Sequence, residues 1–259
     1  MQTELRGLVL RVVDIRESDR LLTLYTDKLG VITVLARGAR SLKSRKMPAT
    51  CQFCYSEFVI SGSGDKLTVN EASVIETFFG LRDSLDALSL AGYVCEVIAE
   101  CGTAEPDSEL MRLGLNTLYA LSKGNHPVPL VKAAFEIRCA SILGFMPDVF
   151  GCHRCGKEDG VMFYLDIMAG AVECYDCHKI SEGKKELLSE VHEAHLLAML
   201  SPSVRRALEY CVCCPHEKLF SFRLTEEDSE LLSVAAERYL LNHLERGFRS
   251  LDFYNEVKA

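Results

Sequence analysis

Apolar positions alternate along the first eighty residues and then change period. In Leu5–Ile15, Leu8, Leu10 and Val12 recur at every second position, the spacing that puts one face of a strand against a core. LLTLYT and VITVLARGAR read as two more strands, joined by a short turn at Asp27-Lys28-Leu29-Gly30. FCYSEFVISG, closed by Gly62-Ser63-Gly64-Asp65, and KLTVNEASVIETF continue the pattern. About five short strands in about 75 residues predict a small barrel rather than a sandwich.

After Gly80 the period lengthens. Leu81, Leu85, Leu88, Tyr93 and Val97 fall near helical spacing, with Ser84 and Asp86 as capping groups. A second helix is predicted from Glu105-Pro106-Asp107 through Leu110, Leu113, Leu118 and Leu121, ending at Lys123-Gly124. A third spans 130–145 and is stopped by Pro147. Residues 150–180 are rich in Gly and Cys. Helices are predicted again over 184–200, 202–213 and 225–246, the last with a capping-box start at Thr225-Glu226-Glu227-Asp228.

The chain has 259 residues, 48% hydrophobic and 25% charged, typical of a folded protein. No apolar run approaches the roughly 20 residues a membrane span needs, and the N-terminus lacks the pattern of a secretory signal, so a cytoplasmic location is expected. The net charge of −8 argues against a general nucleic-acid binder. Its distribution changes that picture. Residues 1–80 hold 11 basic and 9 acidic side chains, whereas 81–259 hold 18 and 28. Arg37, Arg40, Lys43, Arg45 and Lys46 fall within ten residues without an acid. Such a segment suits phosphate contacts, where affinity comes from counterion release; otherwise it is a solvated turn. Arg16 and Arg20 extend the positive surface or pair with Glu17 and Asp19. Phe53, Tyr55 and Phe58 stack bases if exposed, although alternation puts at least one in the core.

Twelve cysteines are many for a chain with no sign of secretion. Cys152-His153-Arg154-Cys155 and Cys174-Tyr175-Asp176-Cys177 are two CxxC pairs with eighteen residues between them. On tight knuckles, two such pairs aim four sulfurs at one point and close a tetrahedral zinc site with no position left for water. The intervening segment reads as a hairpin turning at Ala169-Gly170, the outline of a zinc ribbon. One structural zinc is therefore expected, with His153 and His178 as neighbours rather than ligands. Cys51 and Cys54 form a lone CxxC on a strand-like run, where their side chains would point to opposite faces. Cys211, Cys213 and Cys214, near His216, offer a weak second metal candidate or buried helix-end thiols. Cys95, Cys101 and Cys139 read as core. His192 and His195, with Glu190 and Glu193, read as a solvated helix face. No P-loop, HExxH or GxSxG motif occurs, and no constellation supports an enzyme.

Four stretches carry a resemblance. They are ESDRLLTLYTDKLGVITVLARGARSLKS, Gly80-Leu81-Arg82-Asp83-Ser84, FEIRCASILGFMPDVFGCHRCG and RYLLNHLERGFRSLDF. Together and in this order, they resemble the RecO family of bacterial DNA repair proteins over most of the chain. The resemblance implies an α+β multidomain protein: an N-terminal OB-fold β-barrel (1–80), then an α-helical domain in two parts (81–149 and 181–259) with an embedded zinc ribbon (150–180). It implies binding of single- and double-stranded DNA, annealing of complementary strands, and help in loading RecA onto strands coated by single-stranded-DNA-binding protein, with RecR as partner. It also implies that the helical domain captures the acidic, apolar tail of the coating protein. Such a tail needs an apolar groove with a cation at its rim. Of Lys132 and Arg138 on the 130–145 helix, Arg138 is the expected partner-binding cation, because Phe135 and Ile142 share its side. Two other readings remain: an interaction scaffold whose barrel does not bind nucleic acid, and a zinc-ribbon component of transcription or RNA handling.

Overall fold

The computed structural model describes residues 2–64, 66–188 and 197–258, with the side chains of 182–188 left out. Five strands form a closed barrel: β1 (Gln2–Ile15), β2 (Asp19–Thr26), β3 (Gly30–Ala36), β4 (Tyr55–Ser63) and β5 (Lys66–Glu76). Their order is β1-β2-β3-β5-β4, and β1 closes the ring on β4. The β3–β5 pair is parallel and the others are antiparallel. That is the OB-fold arrangement, a five-stranded Greek-key barrel. A register shift between Val9 and Arg11 bends β1, so that its first half pairs with β4 and its second with β2. Leu5, Val9, Leu22, Leu24, Val34, Phe58, Ile60 and Val69 fill the interior.

The barrel does not stand alone. Helices α1 (Leu85–Cys101), α2 (Ser108–Lys123) and α7 (Arg249–Lys258) complete one compact unit, residues 1–125 with 248–259. Ser84 caps α1 through Ala87 N, and Asp107 caps α2 through Glu109 N and Leu110 N. The Tyr25 hydroxyl, at the end of β2, donates to Asp107 O at 3.0 Å. Gly30, at a positive φ of 57°, brings the β2–β3 turn against Thr103 O, where a Cβ would lie 2.0 Å away. Helix α7 packs on α1 through the Tyr93–Phe248 edge-to-face ring pair and through Glu96, which accepts from both Ser250 N and its hydroxyl.

The second unit covers 126–247. The boundary falls inside the stretch 81–149 expected to stay together, and the last helix returns to the first unit. The second unit is centred on α3 (Val128–Ile142), where every residue from Leu130 to Ala140 is buried. It packs against α5 (Pro202–Cys213) and α6 (Glu226–Leu244). Even its lysine is inside: Lys132 pairs with Glu136 at 3.0 Å and Glu237 at 2.8 Å. A paired charge avoids the cost of an isolated buried one. A three-stranded sheet, order β7-β6-β8, joins β6 (Phe163–Asp166), β7 (Ala171–Cys174) and β8 (Leu197–Leu200).

Two expectations change here, and a third falls outside the described residues. Residues 197–200 are a strand paired with β6 rather than the end of a helix, while α4 (Tyr175–Leu188) occupies the preceding stretch. Glu190, His192, Glu193 and His195 lie outside the described residues. Cys51 and Cys54 sit in a turn after a 3-10 turn at Pro48–Thr50 rather than on a strand. No helix among the described residues is long and apolar enough to cross a membrane.

Candidate metal centre and nucleic-acid interface

The cysteine quartet is built from two unlike knuckles. Cys152 and Cys155 lie on a loop that closes on itself: Gly156 N donates to Cys152 O at 2.8 Å and Cys152 N to Lys157 O at 2.9 Å. Gly156 takes a φ of 73°, which a side chain would strain. The second knuckle is a strand running into a helix. Cys174 ends β7, and Cys177 lies in the first turn of α4, where free N–H groups favour negative charge. The β6–β7 hairpin carries one knuckle to the other. Its turn at Gly170 rests on Tyr239, whose hydroxyl oxygen would lie 2.7 Å from an added Cβ.

All four sulfurs lie within 4.8 Å of one another, and those of Cys155 and Cys174 are 3.7 Å apart. A tetrahedron with metal–sulfur bonds near 2.3 Å has edges of about 3.8 Å. The residues therefore fit a four-thiolate metal centre. Their proton affinities diverge: Cys152 is lowered, whereas Cys174, mainly by burial, and Cys177 are raised. Burial works against ionising Cys152, but backbone N–H groups of Cys174, Cys155 and Arg154 outweigh it and bring the thiol down to about 7. Cys177 is pushed up to about 12 by hydrogen bonding with Cys155, by burial and by the other sulfurs. Four thiolates this close repel one another unless a cation stands among them. The histidines stay outside the cluster. His178 stacks on Tyr164 at 4.0 Å and lies 3.5 Å from Glu173, which also pairs with Arg154 at 2.7 Å. His153 is exposed.

The basic segment is an ordered loop rather than a loose one. Asp19 begins β2, and its carboxylate accepts from Gly38 N at 2.8 Å; that bond holds the carboxyl below its ordinary range despite partial burial. Arg40 N donates to Ser18 O at 2.9 Å. Three turns follow in series, through Ser41 N to Gly38 O, Ser44 N to Ser41 O and Met47 N to Ser44 O. The five cations are not equivalent. Arg40 pairs with Asp14 at 3.3 Å and donates to Arg16 O at 3.1 Å. Lys46 donates to Val69 O at 3.3 Å. Arg37, Lys43 and Arg45 are exposed and form no ion pair among the described residues. Arg20, offered as a partner of Glu17 or Asp19, pairs instead with Asp14 at 3.3 Å and reaches Met47 O and Thr50 Oγ1. Arg16 lies 3.8 Å from Asp19. The sequence signal for Asp19 as the loop's anchor is Gly38, a turn glycine nineteen residues on whose N–H needs a partner.

The aromatic candidates are mostly interior. Phe53 and Phe58 are buried, and Tyr55 is half-buried. The remaining cysteines form no second metal cluster among the described residues. Cys95 and Cys139 are buried, and Cys101 is half-buried. Cys54 is pushed up to about 11, mainly by burial.

Arg138 is not at the rim of a groove. It is 7% exposed and donates from Nε to Cys211 O at 2.7 Å and from Nη2 to Cys214 O at 2.6 Å. It thus satisfies carbonyls at the C-terminal end of α5, where the helix leaves acceptors unpaired. The helix-face argument fails because α3 is buried on every side and has no solvent face.

Comparison with known proteins agrees with this architecture. Residues 1–78 match the family model "Recombination protein O N terminal", and residues 82–252 match "Recombination protein O C terminal". The chain belongs to the RecO family. It is 32% identical over 248 residues to a DNA repair protein RecO of Acetivibrio thermocellus, covering 95% of this chain and 94% of that one. It is 30% identical to the RecO of Desulforudis audaxviator, covering 99% and 97%. The RecO of Caldicellulosiruptor saccharolyticus is 28% identical, with 98% of each chain covered. Membership in the RecO family places the chain in DNA repair and recombination.

Proposed function

We propose that the chain is a recombination mediator that binds single- and double-stranded DNA through its barrel. It anneals complementary strands and helps RecA load onto strands coated by single-stranded-DNA-binding protein, with RecR as a further partner. The observation that carries the reading is the loop of β3–β4 on an OB barrel, with Arg37, Lys43 and Arg45 exposed and outside any ion pair among the described residues. Barrels of this topology bind oligonucleotides along one face and its loops, and unpaired cations on an anchored loop release counterions without first breaking an ion pair. The rest of the chain, with 18 basic and 28 acidic side chains, lacks the acid-free cationic run of this loop.

Zinc is the metal we assign to Cys152, Cys155, Cys174 and Cys177. All four positions are filled by thiolate, so the ion stabilises the ribbon and has no open position for chemistry. The chain works in the cytoplasm, where a four-thiolate site stays reduced and loaded.

The test is annealing of complementary strands by the full chain, with and without single-stranded-DNA-binding protein. Acceleration of both bare and coated strands is expected. No acceleration of either, with folded and metal-loaded protein, would overturn the reading in favour of an interaction scaffold. Faster annealing of RNA than of DNA would move it to RNA handling.

A further inference from the structure

The tip of the basic loop exposes an apolar side chain beside a cation. In the turn closed by Ser44 N to Ser41 O at 2.8 Å, the two central residues are Leu42 and Lys43. Leu42 is 90% exposed, more than any other large apolar side chain described. Single exposed leucines are common, but this one stands where the loop had an alternative. Three residues earlier Ala39 is fully buried, so the loop does send a side chain inward, and it sends the small one. The base of the loop is fastened by Asp19 to Gly38 N, by Arg40 to Asp14 and to Arg16 O, and by Lys46 to Val69 O. The tip is therefore presented on a fixed base. Lys43 stands beside it in the same turn, with Arg37 and Arg45 exposed within the same loop. The acids nearby are Asp14, Asp19 and Glu17. The first two are spent on Arg20, Arg40 and the Gly38 N–H, and Glu17 lies on the β1–β2 turn rather than on the loop.

We propose that Leu42 is a wedge that enters a base step of double-stranded DNA whose phosphates are held by Arg37, Lys43 and Arg45. The inference rests on the reading that this loop binds DNA, and adds to it what the loop does there. Proteins that hold a duplex by its phosphates and insert an apolar side chain between base pairs part the stack at that step and bend the axis. The chemistry at the tip fits that division of labour. Cations supply affinity without reading sequence, and the uncharged side chain fills the opened step, where a lysine would have to shed its water. A local opening of this kind also prepares a duplex for exchange of strands.

The experiment uses the full, metal-loaded chain and a short duplex carrying 2-aminopurine at internal positions, whose fluorescence rises when its neighbours unstack. Wild type at saturation is expected to raise it. Leu42→Ala is expected to abolish the rise while weakening binding by roughly tenfold or less, because leucine burial and the unstacking it drives nearly offset each other. Leu42→Phe is expected to keep the rise. The salt slope should be the same in all three, since no phosphate contact changes. An equal rise with wild type and Leu42→Ala, or no rise with wild type that binds the duplex, would overturn the wedge and leave the DNA-binding reading standing. Replacing Arg37, Lys43 and Arg45 together by Ala with no change in affinity or slope would overturn both. Leu42-dependent binding to phosphatidylserine vesicles with no Leu42 effect on the duplex would assign the tip to a lipid surface and overturn the wedge.

Discussion

The cysteine quartet and the basic loop differ in what specifies them. The quartet is set by short-range spacing: two CxxC pairs, a tight turn at Gly156 and a strand entering a helix bring four sulfurs within 4.8 Å. Nothing distant has to be known to predict it. The loop is set by its neighbours. Five cations look alike in the sequence, yet Asp14 and the carbonyls of Arg16 and Val69 occupy two of them and leave three. A closed metal site is a property of its own residues, whereas a phosphate surface is what remains after the fold has used the charges it needs.

Removing one member should separate the two most sharply at the quartet. Cys174→Ser is expected to lose the ion, seen as zinc per chain falling to near zero by elemental analysis. The ribbon should unfold locally, because metal affinity on the order of 10 kcal/mol in such sites is folding energy. DNA binding by the barrel should persist. Loss of DNA binding with the fold of the barrel intact would break the contrast. Arg138→Ala should be next. It leaves the carbonyls of Cys211 and Cys214 unpaired in the interior, at a cost of about 3 kcal/mol read by denaturant unfolding. A stability within about 0.5 kcal/mol of wild type would show that α5 needs no such support.

The loop should respond by increments. Arg37, Lys43 and Arg45 replaced together by Ala should reduce the slope of log affinity against log salt by about 3, roughly equally on all sequences. Arg40→Ala is the smallest expected effect. Its guanidinium is held by Asp14, so the slope should change by well under about 1. If Arg40 proved equal to Lys43, the distinction between spent and unspent cations would fail.

The same division explains what was legible beforehand. The barrel strands, the helix starts at Ser84, Asp107 and Thr225, and the ribbon hairpin all depend on patterns a few residues long, and the structure has them where those patterns lie. Leu197–Leu200 carries no strand signal of its own, so its apolar run predicts helix; its strand conformation comes from pairing with β6, more than thirty residues away. Helix α7 is short, and its place is set by the distant Tyr93 and Glu96. The faces of its own helix do not place Arg138 when every residue from Leu130 to Ala140 is buried.

The return of the chain after Gly247 has a consequence for synthesis. Residues 1–125 precede the second unit in synthesis, but the surface of α1 that receives α7 stays uncovered until residues 248–259 have been made. At roughly 5 to 20 residues per second, the intervening stretch of about 120 residues delays that event by roughly 6 to 25 s. Over that interval the nascent barrel has no Phe248 ring against Tyr93 and no Ser250 on Glu96. The first unit can thus close only after the second has been made.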